Sequence, residues 1–313
     1  MAVLASLRGI ERLGCLNKPQ YLAQPKAVLR RFFGVPRTFP GFRVVPLRWG
    51  LPIEVDTRED VGREISNCGI FEIPVLEAIF RLADCADAVV DAGANIGFMT
   101  SAALASAAKM VIAFEPHPDV FRQLEKNVAL WTQARPEIAG RIFARQAAVS
   151  DKNGVAALRI PYSFSGNHGL STLEAGPKGG TYREIEVPTV TLAQVVEECG
   201  GSVGLLKMDI EGHEFTALNA SRITLEAGKI RDIIFEDHEG MDSEVSRLLE
   251  RSGYTIFGLN RTPFGPALLD KRASVAWYFV SEAYNILATR DPERAVSRMR
   301  DRGFRCLRNR RDH

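Results

Sequence analysis

The sequence predicts an α/β fold, doubly wound around a mostly parallel sheet. From residue 89 onward, short apolar segments rich in β-branched residues alternate with longer segments whose apolar residues recur every three or four positions. This alternation is typical of strand–helix–strand units, in which helices cover both faces of a parallel sheet. The predicted strands of the sheet are Val89–Val90, Met110–Phe114, Arg141–Val149, Val203–Met208 and Ile230–Phe235.

The predicted helices are amphipathic. Apolar residues at helical spacing form one face of Glu72–Ala83. A second helix follows Pro118, a residue that suits a first helical turn, and extends to Trp131. Further predicted elements are helices at Thr100–Ala108, Thr191–Cys199, Gly212–Ser221 and Ser243–Ser252, and final strands at Thr255–Leu259 and Ala276–Val280 near the sheet edge.

An insertion interrupts this alternation between Asp151 and Val190. Two β-rich runs, Val155–Ile160 and Tyr182–Val190, flank a glycine-rich turn, which predicts a hairpin beside the ligand-binding edge of the sheet. The residues near its tip that we expect to contact a substrate are Leu170, Ser171 and Thr172.

Composition and charge divide the chain into three parts. Residues 1–60 are a basic N-terminal arm with a small hairpin, residues 61–285 are the main domain, and residues 286–313 are an arginine-rich tail. The first 50 residues carry nine Lys or Arg and one acid, although the whole chain has a net charge of only +2. We expect two solvated ends. The alternative is a surface that binds an acidic polymer or a membrane face.

Several functional classes are disfavoured by the sequence. The five cysteines are odd in number and scattered, which argues against a disulfide framework or a zinc site. Reduced thiols are the simplest account of these cysteines, so we expect a cytoplasmic protein. No apolar stretch approaches the roughly 18 residues of a membrane span. The basic residues lack the accompanying pattern of a nucleic-acid-binding protein, so no nucleic acid is expected as a partner.

A glycine loop after the first strand of the sheet predicts a ligand site. Asp91 precedes the loop, Gly93 and Gly97 bracket it, and Asn95 lies inside it. Glycine permits unusual backbone angles and brings the backbone close to a ligand. Glu115 ends the next strand, close to the sequence separation from the loop at which an acid binds a nucleotide ribose. Without Glu115, a simple tight turn would explain the glycines equally well.

The spacing of the loop favours one nucleotide ligand over another. A dinucleotide loop has the pattern G-x-G-x-x-G, whereas this loop is Gly93-x-x-x-Gly97. Asp91 would repel a pyrophosphate and attract an ammonium group. S-adenosylmethionine carries an ammonium group and a ribose diol but no phosphate, so the loop fits it better than NAD.

Two acidic clusters at later strand ends predict the reaction chemistry. In the first, Asp209, Glu211 and Glu214 follow a strand that contains Lys207. Favourable interaction with a helix dipole would explain one or two of these acids, but not the whole group. The second cluster contains His238 and closes the fifth strand. We expect it to face Asp209 across the site.

These clusters suit methyl transfer to an alcohol, which needs an in-line approach and a proton acceptor. The candidate catalytic residues are Asp209, Glu211 and His238. A divalent metal bridging Asp209 and Asp237 would be an alternative way to activate the alcohol. His238 can equally be explained as a structural histidine.

Taken in order, the motifs resemble those of the FkbM-type methyltransferases between about Gly62 and His238. The matching segments are Asp91-Ala-Gly-Ala-Asn-Ile-Gly, Ala113-Phe-Glu-Pro, Ala148-Val-Ser-Asp151, Lys207-Met-Asp-Ile-Glu-Gly-His-Glu214 and Ile234-Phe-Glu. The resemblance implies a seven-stranded, Rossmann-like class I methyltransferase fold that uses S-adenosylmethionine. His213 stands where a small residue is common in this family. The residues implied to hold the cofactor are Asp91, Gly93, Asn95, Gly97, Glu115 and Ala148.

The resemblance further implies an O-methyltransferase that acts on a hydroxyl of a sugar, polysaccharide, glycolipid or polyketide. Asp209 and Glu211 would line the transfer site. Two alternatives are an NAD(P)-dependent oxidoreductase on a similar sheet and a cofactor-binding module without activity. The expected partner is therefore a small-molecule or carbohydrate acceptor, with peripheral membrane contact as a further option.

Overall fold

An eight-stranded sheet forms the centre of the computed structural model, which describes residues 41–106, 108–161, 171–174, 181–262, 264–271 and 285–308. The expectations for Leu170, for a strand at Ala276–Val280 and for most of the N-terminal arm lie outside these residues. Among the residues described, no helix combines the length and apolarity needed to cross a bilayer.

The strands and helices follow the predicted alternation. The strands are β1 (Phe42–Pro46), β2 (Pro52–Asp56), β3 (Ala88–Ala92), β4 (Met110–Phe114), β5 (Ile142–Arg145), β6 (Ala148–Val149), β7 (Gly154–Pro161), β8 (Tyr182–Val190), β9 (Val203–Met208), β10 (Ile230–Glu236), β11 (Thr255–Thr262), β12 (Gly265–Leu269) and β13 (Asn285–Thr289). The helices are α1 (Asp60–Cys68), α2 (Ile73–Leu82), α3 (Phe98–Ala105), α4 (Pro118–Ala134), α5 (Leu192–Glu198), α6 (Glu214–Ala220), α7 (Arg222–Glu226), α8 (Glu244–Arg251) and α9 (Pro292–Met299).

The order of the strands in the large sheet is β12-β11-β13-β10-β9-β3-β4-β5. Strands β10, β9, β3, β4 and β5 are parallel, whereas β13, β11 and β12 pair antiparallel to their neighbours. The doubly wound, mostly parallel α/β prediction is therefore confirmed. The expected number of seven strands is wrong, because β12 folds back onto β11 and adds an eighth strand at the edge.

The chain reverses its direction across the sheet between β3 and β9. It runs outward from β3 through β4 to β5, and returns to β9 on the other side of β3. Ligands of such sheets bind outside the carboxyl ends of the strands at this reversal. The register places Asp91 of β3 beside Lys207 of β9. The motifs singled out in the sequence therefore meet at the expected crevice.

Two hydrophobic cores cover the two faces of the sheet. Val89 belongs to one core and Val90 to the other, since successive side chains of a strand point to opposite faces. The core on the Val89 side includes the apolar faces of α2, α3 and α4, and the other includes those of α5, α6 and α8. This arrangement explains why the central strands are apolar throughout rather than alternating.

The N-terminal hairpin and the residues after 285 both pack onto the main sheet. Trp131 Nε1 of α4 donates to the carbonyl of Pro52 at 2.6 Å, and Ile53 is fully buried in the core. The predicted boundary at residue 285 falls at the first residue of β13, which lies between β10 and β11. The tail is therefore part of the fold through residue 308, because β13 supplies a buried strand and Met299 enters the core.

The insertion forms a separate three-stranded sheet of order β6-β8-β7. Strands β7 and β8 are antiparallel, with Val155 opposite Pro188, as the predicted hairpin requires. Strand β6 pairs parallel to β8 and joins this sheet to β5. The hairpin thereby starts directly beside the carboxyl edge of the main sheet.

Candidate active site

The loop between β3 and α3 is shaped by its two glycines. The backbone N–H of Gly93 donates to the Phe114 carbonyl at 3.0 Å, which ties the loop to β4. Gly93 has φ +76°, and a Cβ there would overlap the carbonyl oxygen of Asp209. A Cβ on Gly97, at φ +90°, would lie 2.6 Å from both Leu124 and Trp131. Only glycine satisfies both the backbone angle and the space at these two positions.

Glu115 lies at the end of β4 and is held by backbone donors. The N–H of His117 donates to Oε1 at 2.8 Å, and the N–H of Asn95 donates to Oε2 at 2.9 Å. Burial raises the pKa of Glu115 to about 7, although these hydrogen bonds oppose the rise. The carboxyl group therefore has a fixed orientation and titrates near neutral pH.

A cavity lies between the glycine loop, the carboxyl ends of β4, β9 and β10, and the inserted hairpin. Five acids, one lysine and one histidine line it, so the cavity favours positively charged ligands over phosphates. The apolar lining includes Phe71, Met99 and Leu158. The ionisable lining residues are Glu72, Glu115, Lys207, Asp209, Glu211, His213 and Glu236.

The structure brings most of the predicted site residues to this cavity. Asp209 and Glu211 follow β9, directly beside the glycine loop after β3, and Glu115 follows β4 on the other side of β3. The cofactor candidates that line the cavity are Gly93, Asn95, Glu115 and Ala148. Gly97 supports the site indirectly, because it allows α3 to begin in close contact with α4.

Asp91 is placed differently from the expectation. Its side chain is 2% exposed and lies beneath the loop rather than in the cavity. Thr100 Oγ1 donates to Oδ2 at 2.6 Å, and Lys207 Nζ is 3.5 Å from Oδ1. This arrangement therefore does not provide a direct contact between Asp91 and a ligand ammonium group. Lys207 balances the charge of Asp91 instead.

Lys207 is a site residue that the sequence motifs did not assign. Its Nζ donates to the carbonyl of Gly93 at 2.9 Å and lies 3.3 Å from Asp209 Oδ2. Burial lowers the pKa of Lys207, but the charges of Asp209 and Asp91 outweigh burial and raise it above its usual value. A charged Lys207 thus fixes the glycine loop to β9. A lysine in an otherwise apolar strand was the sequence signal for it.

Glu211 combines an unusual backbone conformation with a raised pKa in this cavity. It has φ +55°, a conformation that is uncommon for residues other than glycine. Burial, followed by the charges of Asp209, Glu236 and Glu214, raises its pKa to about 8. Strained backbone and shifted pKa values are concentrated at functional sites. Glu211 is therefore poised to exchange a proton near neutral pH.

His238 lies outside the cavity. Its side chain is 80% exposed, and its Nε2 lies 3.8 Å from Glu236 Oε1. The predicted catalytic position of His238 is not what the structure shows, because β10 ends at Glu236 and the chain then turns outward. The histidine that lines the cavity is His213. In the part of the chain that the structure describes, no group of three or more His, Cys, Asp or Glu side chains is arranged to hold a metal ion.

The strand order and the acid-lined cavity at the chain reversal define a Rossmann-like α/β protein with a candidate ligand site. A family model described as the methyltransferase FkbM domain matches residues 91–306, which is more than half of the chain. The chain belongs to the FkbM methyltransferase family. The resemblance noted in the sequence is thereby confirmed.

The chain is also similar to one curated relative and to one solved structure. The hexuronic acid methyltransferase AglP of Haloferax volcanii is 28% identical over 197 residues, covering 61% of this chain and 73% of that protein. The crystal structure of methyltransferase FkbM from Methylobacillus flagellatus KT is similar with 17% identity and a TM-score of 0.43. That similarity covers 66% of this chain and 44% of that protein, so this chain spans less than half of its length.

Proposed function

We propose that the protein transfers the methyl group of S-adenosylmethionine to a hydroxyl oxygen of a sugar-containing acceptor. The observation that carries this proposal is the placement of two differently held carboxyl groups in one cavity. Glu115 is fixed by backbone donors beside the glycine loop, whereas Glu211 follows β9 on a strained turn, on the other side of β3 from Glu115. Glu115 is suited to accept hydrogen bonds from a ribose diol, and Glu211 is suited to accept a proton.

The cofactor fits the loop end of the cavity. Both Glu115 oxygens accept backbone hydrogen bonds and retain lone pairs for ribose hydroxyls, since a carboxylate offers about four acceptor positions. The acidic lining suits the sulfonium and ammonium charges of this cofactor. Phe71 and Met99 add apolar surface for a nucleobase. When bound, S-adenosylmethionine supplies the methyl group as an electrophile.

Glu211 is the proposed proton acceptor. The acceptor oxygen forms a new bond to the methyl carbon as the sulfur–carbon bond breaks, and the hydroxyl proton passes to the Glu211 carboxylate. A base with a pKa of about 8 is well matched to this role near neutral pH. Asp209 contributes a neighbouring negative charge that lies 3.3 Å from Lys207 and raises the basicity of Glu211.

The sugar acceptor is supported by the family and by the lining at the Glu211 end. AglP is named for a hexuronic acid. In this chain Glu236, Asp209 and Ser171 surround the same end with polar groups, and carboxylates accept hydrogen bonds from sugar hydroxyls. A nicotinamide cofactor is less well suited, because its pyrophosphate would meet this acidic lining.

The proposal is tested by incubating the protein with labelled S-adenosylmethionine and a panel of p-nitrophenyl glycosides. The panel includes glucoside, galactoside, mannoside, glucosaminide and glucuronide. We expect a mass increase of one methylene unit on at least one glycoside, with fragmentation placing it on a sugar oxygen. Methylation on nitrogen or carbon, or NADH-dependent reduction without methyl transfer, would contradict the proposal.

A further inference from the structure

The His213 side chain connects the acceptor turn, defined as residues 209–213, with two separate parts of the insertion. Nε2 lies 2.9 Å from Ser150 Oγ, which precedes β7, and Nδ1 lies 2.7 Å from Glu174 Oε1, which follows it. The His213 residue is 7% exposed and lines the cavity. Both ring nitrogens are therefore engaged in holding the insertion.

Segment 171–174 is itself held like an additional strand. The N–H and carbonyl of Thr172 pair with those of Arg159 in β7, at 3.1 and 2.8 Å. Thr172 Oγ1 donates to the carbonyl of Glu211 at 2.7 Å, and Thr216 Oγ1 donates to Glu174 Oε1 at 3.2 Å. The segment is thus bonded to the hairpin on one side and to the acceptor turn and α6 on the other.

Side chains alternate along this segment in the manner of an extended strand. Ser171 and Leu173 line the cavity, whereas Thr172 and Glu174 make the hydrogen bonds to the turn and to His213. The segment therefore presents one hydroxyl and one apolar group to the same cavity end that Glu211 occupies.

We propose that His213 is a positioning residue that holds segment 171–174 against the acceptor turn, so that Ser171 and Leu173 select the acceptor. This inference depends on the proposed function for the identity of the ligand at that end. The contacts that carry the inference are those of the two His213 ring nitrogens with Ser150 and Glu174.

The positioning role predicts an effect confined to one substrate. Glu115 and the glycine loop lie on β4 and β3 and do not contact His213 through any of the bonds described. Loss of the His213–Glu174 bond should therefore weaken acceptor binding without weakening cofactor binding. It should also release Thr172, whose hydroxyl supports the strained backbone of Glu211.

The test compares His213→Ala, Glu174→Ala and the double variant with Glu186→Ala, an exposed glutamate on β8 of the same hairpin. The first measurement is steady-state kinetics with the best glycoside of the panel, together with calorimetric titration of S-adenosylhomocysteine. We expect the acceptor KM to rise about tenfold in each single variant, with the nucleoside Kd unchanged. The effect of the double variant should be smaller than the sum of the two single effects, because the His213–Glu174 bond is lost in all three variants.

Hydrogen exchange at residues 171–174 provides a second measurement that does not require methyl transfer. We expect faster exchange in His213→Ala and Glu174→Ala, and wild-type exchange in Glu186→Ala. An unchanged acceptor KM, or exchange rates equal to wild type, would overturn the positioning role even if the protein is a methyltransferase. Absence of methyl transfer by the wild type would instead count against the proposed function, while exchange still decides whether His213 holds the segment.

Discussion

The backbone N–H of Asn95 donates to Glu115 Oε2 at 2.9 Å and thereby joins the glycine loop to the end of the neighbouring strand. Asn95 itself lies in the left-handed region, with φ +51°. The second Glu115 oxygen accepts from His117. The residue that we propose to bind the ribose is thus positioned before any ligand arrives, which lowers the cost of binding.

The affinity for S-adenosylhomocysteine should depend on pH through Glu115. Ribose hydroxyls donate to the ionised carboxyl group, and its pKa of about 7 means that this form is lost as the pH falls through neutrality. Affinity should be full above about pH 8 and decline by up to about tenfold per unit below pH 7. Calorimetry between pH 5.5 and 8.5 measures this, with Glu115→Gln as the control. A decline that persists in Glu115→Gln would assign it to another group.

Glu211→Gln should impair the chemical step. The amide cannot accept the hydroxyl proton, so kcat should fall by about 10²- to 10⁴-fold, while S-adenosylhomocysteine binds as before. His238→Ala should change kcat by no more than about twofold, because its side chain is 80% exposed and outside the cavity. The same glycoside assay measures both variants. A large loss in His238→Ala with normal activity in Glu211→Gln would reverse the assignment.

Gly93→Ala should destabilise the fold severely. Its Cβ would overlap the Asp209 carbonyl, and its φ is positive, so we expect a loss of about 3–5 kcal/mol in the free energy of unfolding. Gly212→Ala is the matched control, because Gly212 has φ +90° but no atom within 4 Å of the added carbon. It should lose only about 1–2 kcal/mol. Urea unfolding distinguishes the two; equal losses would mean that the overlap is relieved.

Glu77→Ala should also be strongly destabilising. Glu77 and Arg81 form a fully buried ion pair at 2.5 Å, and Glu77 accepts the backbone N–H groups of Arg305 and Cys306. Removing one partner strands a buried charge, with an expected cost of about 3–5 kcal/mol. Glu226→Ala breaks a solvent-exposed pair of the same spacing and should cost about 0–0.5 kcal/mol. Similar unfolding midpoints for the two variants would show that the C-terminal segment is not held through Glu77.

The sequence predicted the parallel half of the sheet well. Val89–Val90, Met110–Phe114 and Val203–Met208 are strands buried on both faces, as their short length and apolar composition indicate. The edge was harder to predict. Strand β13 at Asn285–Thr289 depends on pairing with the distant strand β10, which local periodicity does not encode, whereas β12 pairs with the adjacent strand β11.

The site was predicted in its backbone but less well in its side chains. Gly93, Glu115 and Glu211 follow from position at strand ends, which a parallel sheet brings together. The directions of the side chains do not follow in this way. Asp91 lies under the loop because Lys207 pairs with it, and His238 points outward because the chain turns after β10. The contact between His213 and Glu174 joins residues that are far apart in the sequence, so no local pattern predicts it.

The central claim is that this cavity binds the nucleoside of S-adenosylmethionine through Glu115. Calorimetric titration of the protein with S-adenosylhomocysteine, performed for wild type and Glu115→Ala, tests it most directly. We expect saturable binding by the wild type and a loss of about 1–3 kcal/mol in the variant, from missing charge-assisted hydrogen bonds to the ribose. Failure of the folded wild type to bind, or equal affinity in the two proteins, would contradict the claim.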